Sequence, residues 1–235
     1  MRCKLTGTEG NGVEAHIIPK SFYRIDSDET LPTKLVSDAK DHFPKRSPKG
    51  IYDKTIVTIE GEQVFKEWDD YAARLLIAQK DELEPLQNSG NLLAYQLPKY
   101  DYKKLKLFFL SVLWKASASS QKFFENVDLG PHERPIRNAL LTGDPQDSDW
   151  YSVCIAKWSG DEDGYGILSP SRARYDSVNY YHIYMESYIV YLKIDKRNPG
   201  EALRSVQLFP DRPLIVLARD LSNSKELPIM VNMIK

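Results

Sequence analysis

The chain has 235 residues, 32 Lys and Arg against 33 Asp and Glu, and a formal charge of −1, with 42% of its residues hydrophobic. That much apolar material excludes wholesale disorder, and a net charge near zero excludes a uniformly basic nucleic-acid coat while leaving room for a local basic groove. Two cysteines, Cys3 and Cys154, exclude a disulfide-stapled scaffold and any four-cysteine zinc site.

In chain order, residues 1–60 are punctuated by Gly, Pro, Asp and Ser and read as loops with short strands at 13–18 and 51–59. From Gln63 the period becomes helical: Phe65, Trp68, Ala72, Leu75 and Leu76 form one stripe, and Pro85 sets the latest end of the helix. Residues 88–91 (Asn-Ser-Gly-Asn) are the best candidate linker. A second helix is expected over 102–122, with Leu105, Phe108, Phe109, Val112 and Leu113 inward, and a third over 131–141. Segments 151–158, 180–194, 205–208 and 214–218 are rich in Val, Ile and Tyr and read as strands. No stretch approaches the ~20 apolar residues of a membrane span. The first seven residues lack the apolar core of a signal peptide, so a cytoplasmic setting with no membrane partner is expected.

The sharpest feature is Ala15-His16-Ile17-Ile18-Pro19-Lys20, preceded by Cys3-Lys4-Leu5-Thr6-Gly7 and followed, after a gap, by Tyr52-Asp53-Lys54 and by Gly61-Glu62 opening a helix. In their order and spacing these blocks, from Cys3 to about Leu76, resemble the HNH, or ββα-metal, endonuclease family. The resemblance implies an α+β chain with an N-terminal ββα-metal unit over residues 1–87. A helical segment and a mixed, strand-rich region of unknown role would follow over 88–235. It also implies hydrolysis of nucleic-acid phosphodiester bonds, a reaction that needs a base to activate water and a cation against the scissile phosphate.

Position by position, His16 matches the general base, Asp53 the middle Asn, and Glu62 the final His. As oxygen ligands, Asp53 and Glu62 would favour Mg²⁺ or Mn²⁺ over zinc. Many relatives place an acid directly before the histidine, where this chain has Ala15, and Glu14, Asp69 or Asp70 would have to compensate. The usual zinc-knuckle positions fall on Cys3, Thr6, Thr58 and Gly61, so no structural zinc is expected.

Lys99, Lys103, Lys104, Lys106, Lys115 and Lys122 face one acid, Asp101, across residues 99–122, with Tyr100, Tyr102 and Trp114 interleaved. This pattern suits phosphate contacts combined with stacking, and equally the solvated face of an amphipathic helix. Lys20, Lys45, Arg46, Lys49, Lys103 and Lys104 are the candidate nucleic-acid contacts. His42 reads as a surface-loop residue, His132 as an exposed residue at a helix start, His182 as a strand residue, and Cys154 as buried and inert. Residues 161–164 (Asp-Glu-Asp-Gly) read as a solvated turn, since they lack the ligand spacing of an EF-hand. The leading expectation is a metal-dependent endonuclease acting on DNA or RNA. The rivals are a fold retained as a nucleic-acid-binding module, and a protein-interaction or oligomerisation role for the Tyr-rich C-terminal sheet, as in a defence assembly.

Overall fold

The computed structural model describes residues 1–23, 34–37, 45–47, 49–159, 167–185 and 187–228. The chain opens with a tight turn in which the Cys3 amide donates to Thr8 and the Gly7 amide to Cys3; Gly7 takes φ +77°, a backbone shape that favours glycine. Strand β1 (Ala15–His16) follows, then β2 (Lys34–Val36), β3 (Lys45–Arg46) and β4 (Tyr52–Asp53). β1 pairs antiparallel with β4, and helix α1 (Ile59–Ala73) comes next. The extended segments are much shorter than the sequence suggests, and Ile59 begins the helix instead of closing a strand. Thr58 explains this: its side chain caps α1 by accepting from the Gly61 amide, and Glu60 and Glu62 occupy the first turn. The expected stripe of Phe65, Trp68, Ala72, Leu75 and Leu76 is buried, its last two residues lying in a π-helical turn, Arg74–Ala78.

Residues 88–91 are not a linker. Strands β5 (Glu84–Asn88) and β6 (Asn91–Leu97) form a hairpin whose turn they make, with Ser89 and Gly90 at positive φ. Helix α2 (Tyr102–Ala118) is buried along every residue from 105 to 116, so it packs on all sides rather than along one stripe. Its last residue, Ala118, is four short of the expected end. Helix α3 (Glu133–Thr142) ends on Gly143 at φ +62°.

Strands β7 (Val153–Trp158), β8 (Ile167–Leu168), β9 (Ser171–Tyr175), β10 (Val178–Met185), β11 (Tyr188–Lys193) and β12 (Leu214–Arg219) complete the strands. Seven of them form one sheet in the order β5-β6-β12-β7-β11-β10-β9, antiparallel except for the parallel pair β12–β7. β3, β2 and β8 form a small second sheet. Alternation along the central strands explains their uninterrupted apolar sequence. Val153, Ile155, Tyr188, Val190 and Leu192 join the large core that holds α1, α2 and α3, whereas Cys154, Ala156, Ile189 and Tyr191 join a smaller cluster on the other face. Residues 205–208, expected as a strand, lie instead around helix α4 (Glu201–Val206), whose Leu203 and Val206, three apart, pack on that second cluster. The large core includes residues from Cys3 to Val216, on both sides of position 88. Among the described residues no helix is long and apolar enough to cross a membrane.

On the second face His182, 7% exposed, meets Tyr175 through Nε2 at 2.9 Å and Tyr184 through Nδ1 at 3.4 Å. Tyr184 in turn donates to Glu226, which pairs with Arg219. Burial pushes His182 down to about 4, with Glu226 opposing and Arg219 and Lys225 adding to the shift. Because an unfolded histidine titrates near ~6.5, the unfolded chain takes up the proton first, and stability present above that pH is lost as pH falls towards 4. Urea melts should show about 3 kcal/mol of such loss, absent from His182→Phe.

Candidate functional site around His16

β1 and β4 set the orientation of every residue in this region. Ala15 pairs with Asp53 and His16 with Tyr52. Successive strand residues face opposite ways, so Ala15 and Asp53 (0% and 2% exposed) point into the protein, while the half-buried His16 and Tyr52 share the other face with their rings 5.9 Å apart. His16 Nε2 lies 2.9 Å from the Lys49 carbonyl oxygen. A carbonyl can only accept, so Nε2 carries a proton, and Nδ1 is the nitrogen that bears the lone pair in the neutral form of the ring.

Asp53 does not share that face. Its Oδ1 accepts from the Thr55 amide and hydroxyl, both at 2.7 Å. Its Oδ2 accepts from the Ser120 amide at 2.7 Å and from the Ser120 and Ser119 hydroxyls at 2.8 and 3.0 Å. Burial alone would raise the carboxyl, but these donors outweigh it and hold Asp53 well below the usual carboxylate range. With five donors, the carboxylate has no lone-pair direction to spare for a cation ligand. Its role is to fasten β4 to the end of α2.

Glu62 does lie at a charged cluster, with partners that sequence reasoning did not assign to it. Glu62, Phe65 and Asp69 fall at i, i+3 and i+7 along α1, and Lys115 of α2 meets them. The Lys115 ammonium, fully buried, is 3.3 Å from Asp69 Oδ2 and 4.9 Å from the Phe65 ring centroid. Burial raises both the Glu62 and the Asp69 carboxyl, Lys115 opposes, and Asp69 also lies within the field of His16. Glu62 Oε2 and Asp69 Oδ1 are buried with no hydrogen-bond partner. Of the three acids that could have compensated for Ala15, Asp69 is the one whose carboxyl feels the charge of His16. Asp70 is exposed, and Glu14 pairs at the surface with Lys54 at 3.1 Å. The signal for Asp69 was its place beside Phe65 and Trp68 on the apolar stripe, where a carboxylate requires a partner.

Among the described residues no three His, Cys, Asp or Glu side chains gather as a metal cage. Mg²⁺ is commonly held by one or two carboxylates, with water and substrate phosphate completing the shell. Glu62 Oε2 and Asp69 Oδ1, each buried and without a hydrogen-bond partner, are the carboxylate oxygens here with lone pairs to offer; Asp53 has none to spare.

The four positions matching a zinc knuckle do meet. Cys3 Sγ accepts from the Thr6 amide at 3.4 Å and Thr58 Oγ1 from the Gly61 amide at 3.4 Å, so each turn closes on its own first residue. The Thr58 amide also hydrogen-bonds the Cys3 thiol, and a methyl on Gly61 would lie 2.6 Å from Cys3 Sγ. Hydrogen bonds and close packing therefore join the two turns.

The basic candidates are dispersed. Lys20 and Lys49 are exposed, Lys49 lending its carbonyl to His16. Lys45 and Arg46 lie in β3, paired with β2. On α2 Lys103 is exposed, but Lys104 is bound to Glu67 at 2.6 Å, and Lys106 and Lys115 are interior. The 99–122 segment is therefore not a continuous basic face. His132 is not a free surface residue: its Nδ1 meets Tyr151 OH at 2.8 Å. Cys154 is buried, its thiol pushed up to about 12. His42 and residues 161–164 lie outside the described residues. Comparison of the chain with family models, curated proteins and solved structures found no match.

Asp53→Ala strands five donors, two of them backbone amides, and should cost about 3 kcal/mol in urea denaturation. Gly61→Ala should cost about 2 kcal/mol through the clash with Cys3 Sγ. Because Cys3→Ala removes the clashing atom, the Cys3→Ala/Gly61→Ala double variant should be more stable than the sum of the two single losses allows, and strict additivity would contradict this packing.

Proposed function

We propose that the N-terminal part of the chain is an HNH-like unit that hydrolyses phosphodiester bonds of DNA or RNA. His16 is the base, and Glu62 with Asp69 is the carboxylate pair for Mg²⁺ or Mn²⁺. The order of strand, strand and helix around His16 agrees with the resemblance carried by the sequence. The observation that carries the reading is the His16 ring itself: half-buried, fixed through Nε2 by the Lys49 carbonyl, and left with an Nδ1 lone pair able to take a proton from water. A cation at the carboxylates would neutralise charge building on the phosphate and leaving oxygen. Lys20, four residues after His16, and Lys49, whose carbonyl meets the His16 ring, supply exposed positive charge suited to holding a phosphate backbone.

A second reading is favoured by Lys115. Its buried ammonium already pairs with Asp69 and acts on Glu62, as would suit a unit that keeps the fold and binds nucleic acid without cutting it.

Incubation of the purified chain with plasmid, linear DNA and RNA, with Mg²⁺ or Mn²⁺ and with EDTA, separates the two. Hydrolysis predicts EDTA-sensitive cleavage that falls by at least ~100-fold in His16→Ala and also in Asp69→Asn. Cleavage surviving in His16→Ala contradicts the assignment. A wild-type chain that cuts nothing yet binds DNA with a steep salt dependence supports the second reading.

A further inference from the structure

Away from His16, the loop between α3 and β7 and the segment after β11 enclose a cleft of about 380 Å³, lined among others by Asp147, Asp149, Trp150, Lys193, Lys196 and Asn198. The volume is within the range of small-molecule sites, ~300–1,000 Å³. Charge counting by residue type makes it acidic, but the pairing reverses that. Asp149 is held by Arg204 at 2.7 Å and by the Gln207 amide at 2.7 Å, and the Asp195 carboxylate on the same wall is held by the Arg197 guanidinium. With both guanidinium groups counted, three carboxylates stand against four cations, and Asp149, Asp195 and Asp147 all still act on the Lys193 ammonium.

Lys193 is 2% exposed and donates to the Arg197 carbonyl at 2.7 Å, one acceptor for three N–H donors. Behind the wall Lys106, fully buried, donates to the Asp147 carbonyl and lies 5.7 Å from the Trp150 ring centroid. Keeping two lysines inside one region is costly, and burial lowers both, Lys106 to about 7. Two further features mark the same place. Gln146 and Tyr151, neither a glycine, hold φ of 60° and 42°, the second in a buried tyrosine whose hydroxyl meets His132. Such strain concentrates at functional sites. Gln207, 3% exposed, has a buried Oε1 with no hydrogen-bond partner beside its contact to Asp149.

We propose that this cleft binds a small ring-bearing anion of mononucleotide size, its ring against Trp150 and its anionic group on Lys193 and Lys196. The site is separate from His16 and does not depend on hydrolysis there.

Isothermal titration of the full chain with adenosine and uridine monophosphates tests it, with adenosine and inorganic phosphate as the separate halves. The expected result is saturable one-to-one binding of a monophosphate, with each half weaker by roughly tenfold or more. Lys196→Ala, at an exposed position that leaves the fold intact, and Trp150→Leu should each weaken binding by roughly tenfold, while His16→Ala should bind as the wild type. The absence of saturable binding of either monophosphate up to millimolar concentration overturns the proposal. So does binding that neither Lys196→Ala nor Trp150→Leu weakens.

Discussion

The arrangement around His16 depends on one buried carboxylate. Two strands of two residues each cannot hold themselves in place, because so short a pair gains little from its own hydrogen bonds. Asp53 supplies the missing constraint. It gathers the Thr55 turn on one oxygen and the Ser119–Ser120 corner on the other, joining β4 to the end of the most buried helix in the chain. Charge-assisted bonds to backbone amides are strong and directional, so this tether fixes rotation as well as distance. Through the pairing of Ala15 with Asp53, it also turns His16 to the opposite face.

α2 gives that tether something rigid to hold. Its length is packed between α1, α3 and the sheet, and its two buried lysines are each matched to specific neighbours: Lys115 to Asp69, and Lys106 to Tyr102 and the Asp147 carbonyl. Buried charges matched in this way contribute little net stability against an apolar core, yet losing one partner is severe. They therefore specify which surfaces meet. Tyrosine hydroxyls serve the same end, as where Tyr188 of the sheet donates to the Leu76 carbonyl after α1 and the Asp101 amide donates to Tyr71.

Much of this was legible in the sequence where a local rule governs. The apolar stripe from Phe65 to Leu76, the Val- and Ile-rich strands and the shift from helical to extended pattern near Gly143 follow from periodicity. The ends of elements did not: α2 stops where Ser119 and Ser120 turn to Asp53, far along the chain, and residues 88–91 become a hairpin turn because β5 pairs with β6, itself held in the sheet by β12. Around His16, the alternation of a strand puts Ala15 on the inward side, and the pairing of β1 with β4, not visible in the sequence, places Asp53 inward too. Which acid would meet Lys115 depended on the docking of α1 against α2, which no spacing within either helix encodes.

The central claim is that Asp53 is a structural tether and not a ligand. A double-mutant cycle between Asp53→Asn and Ser120→Ala, followed by urea denaturation, measures it most directly. The account requires a coupling energy above about 1 kcal/mol, because each substitution removes a contact that the other also needs. Additive losses would contradict it and return the Asp53 carboxylate to the list of groups free to bind a cation.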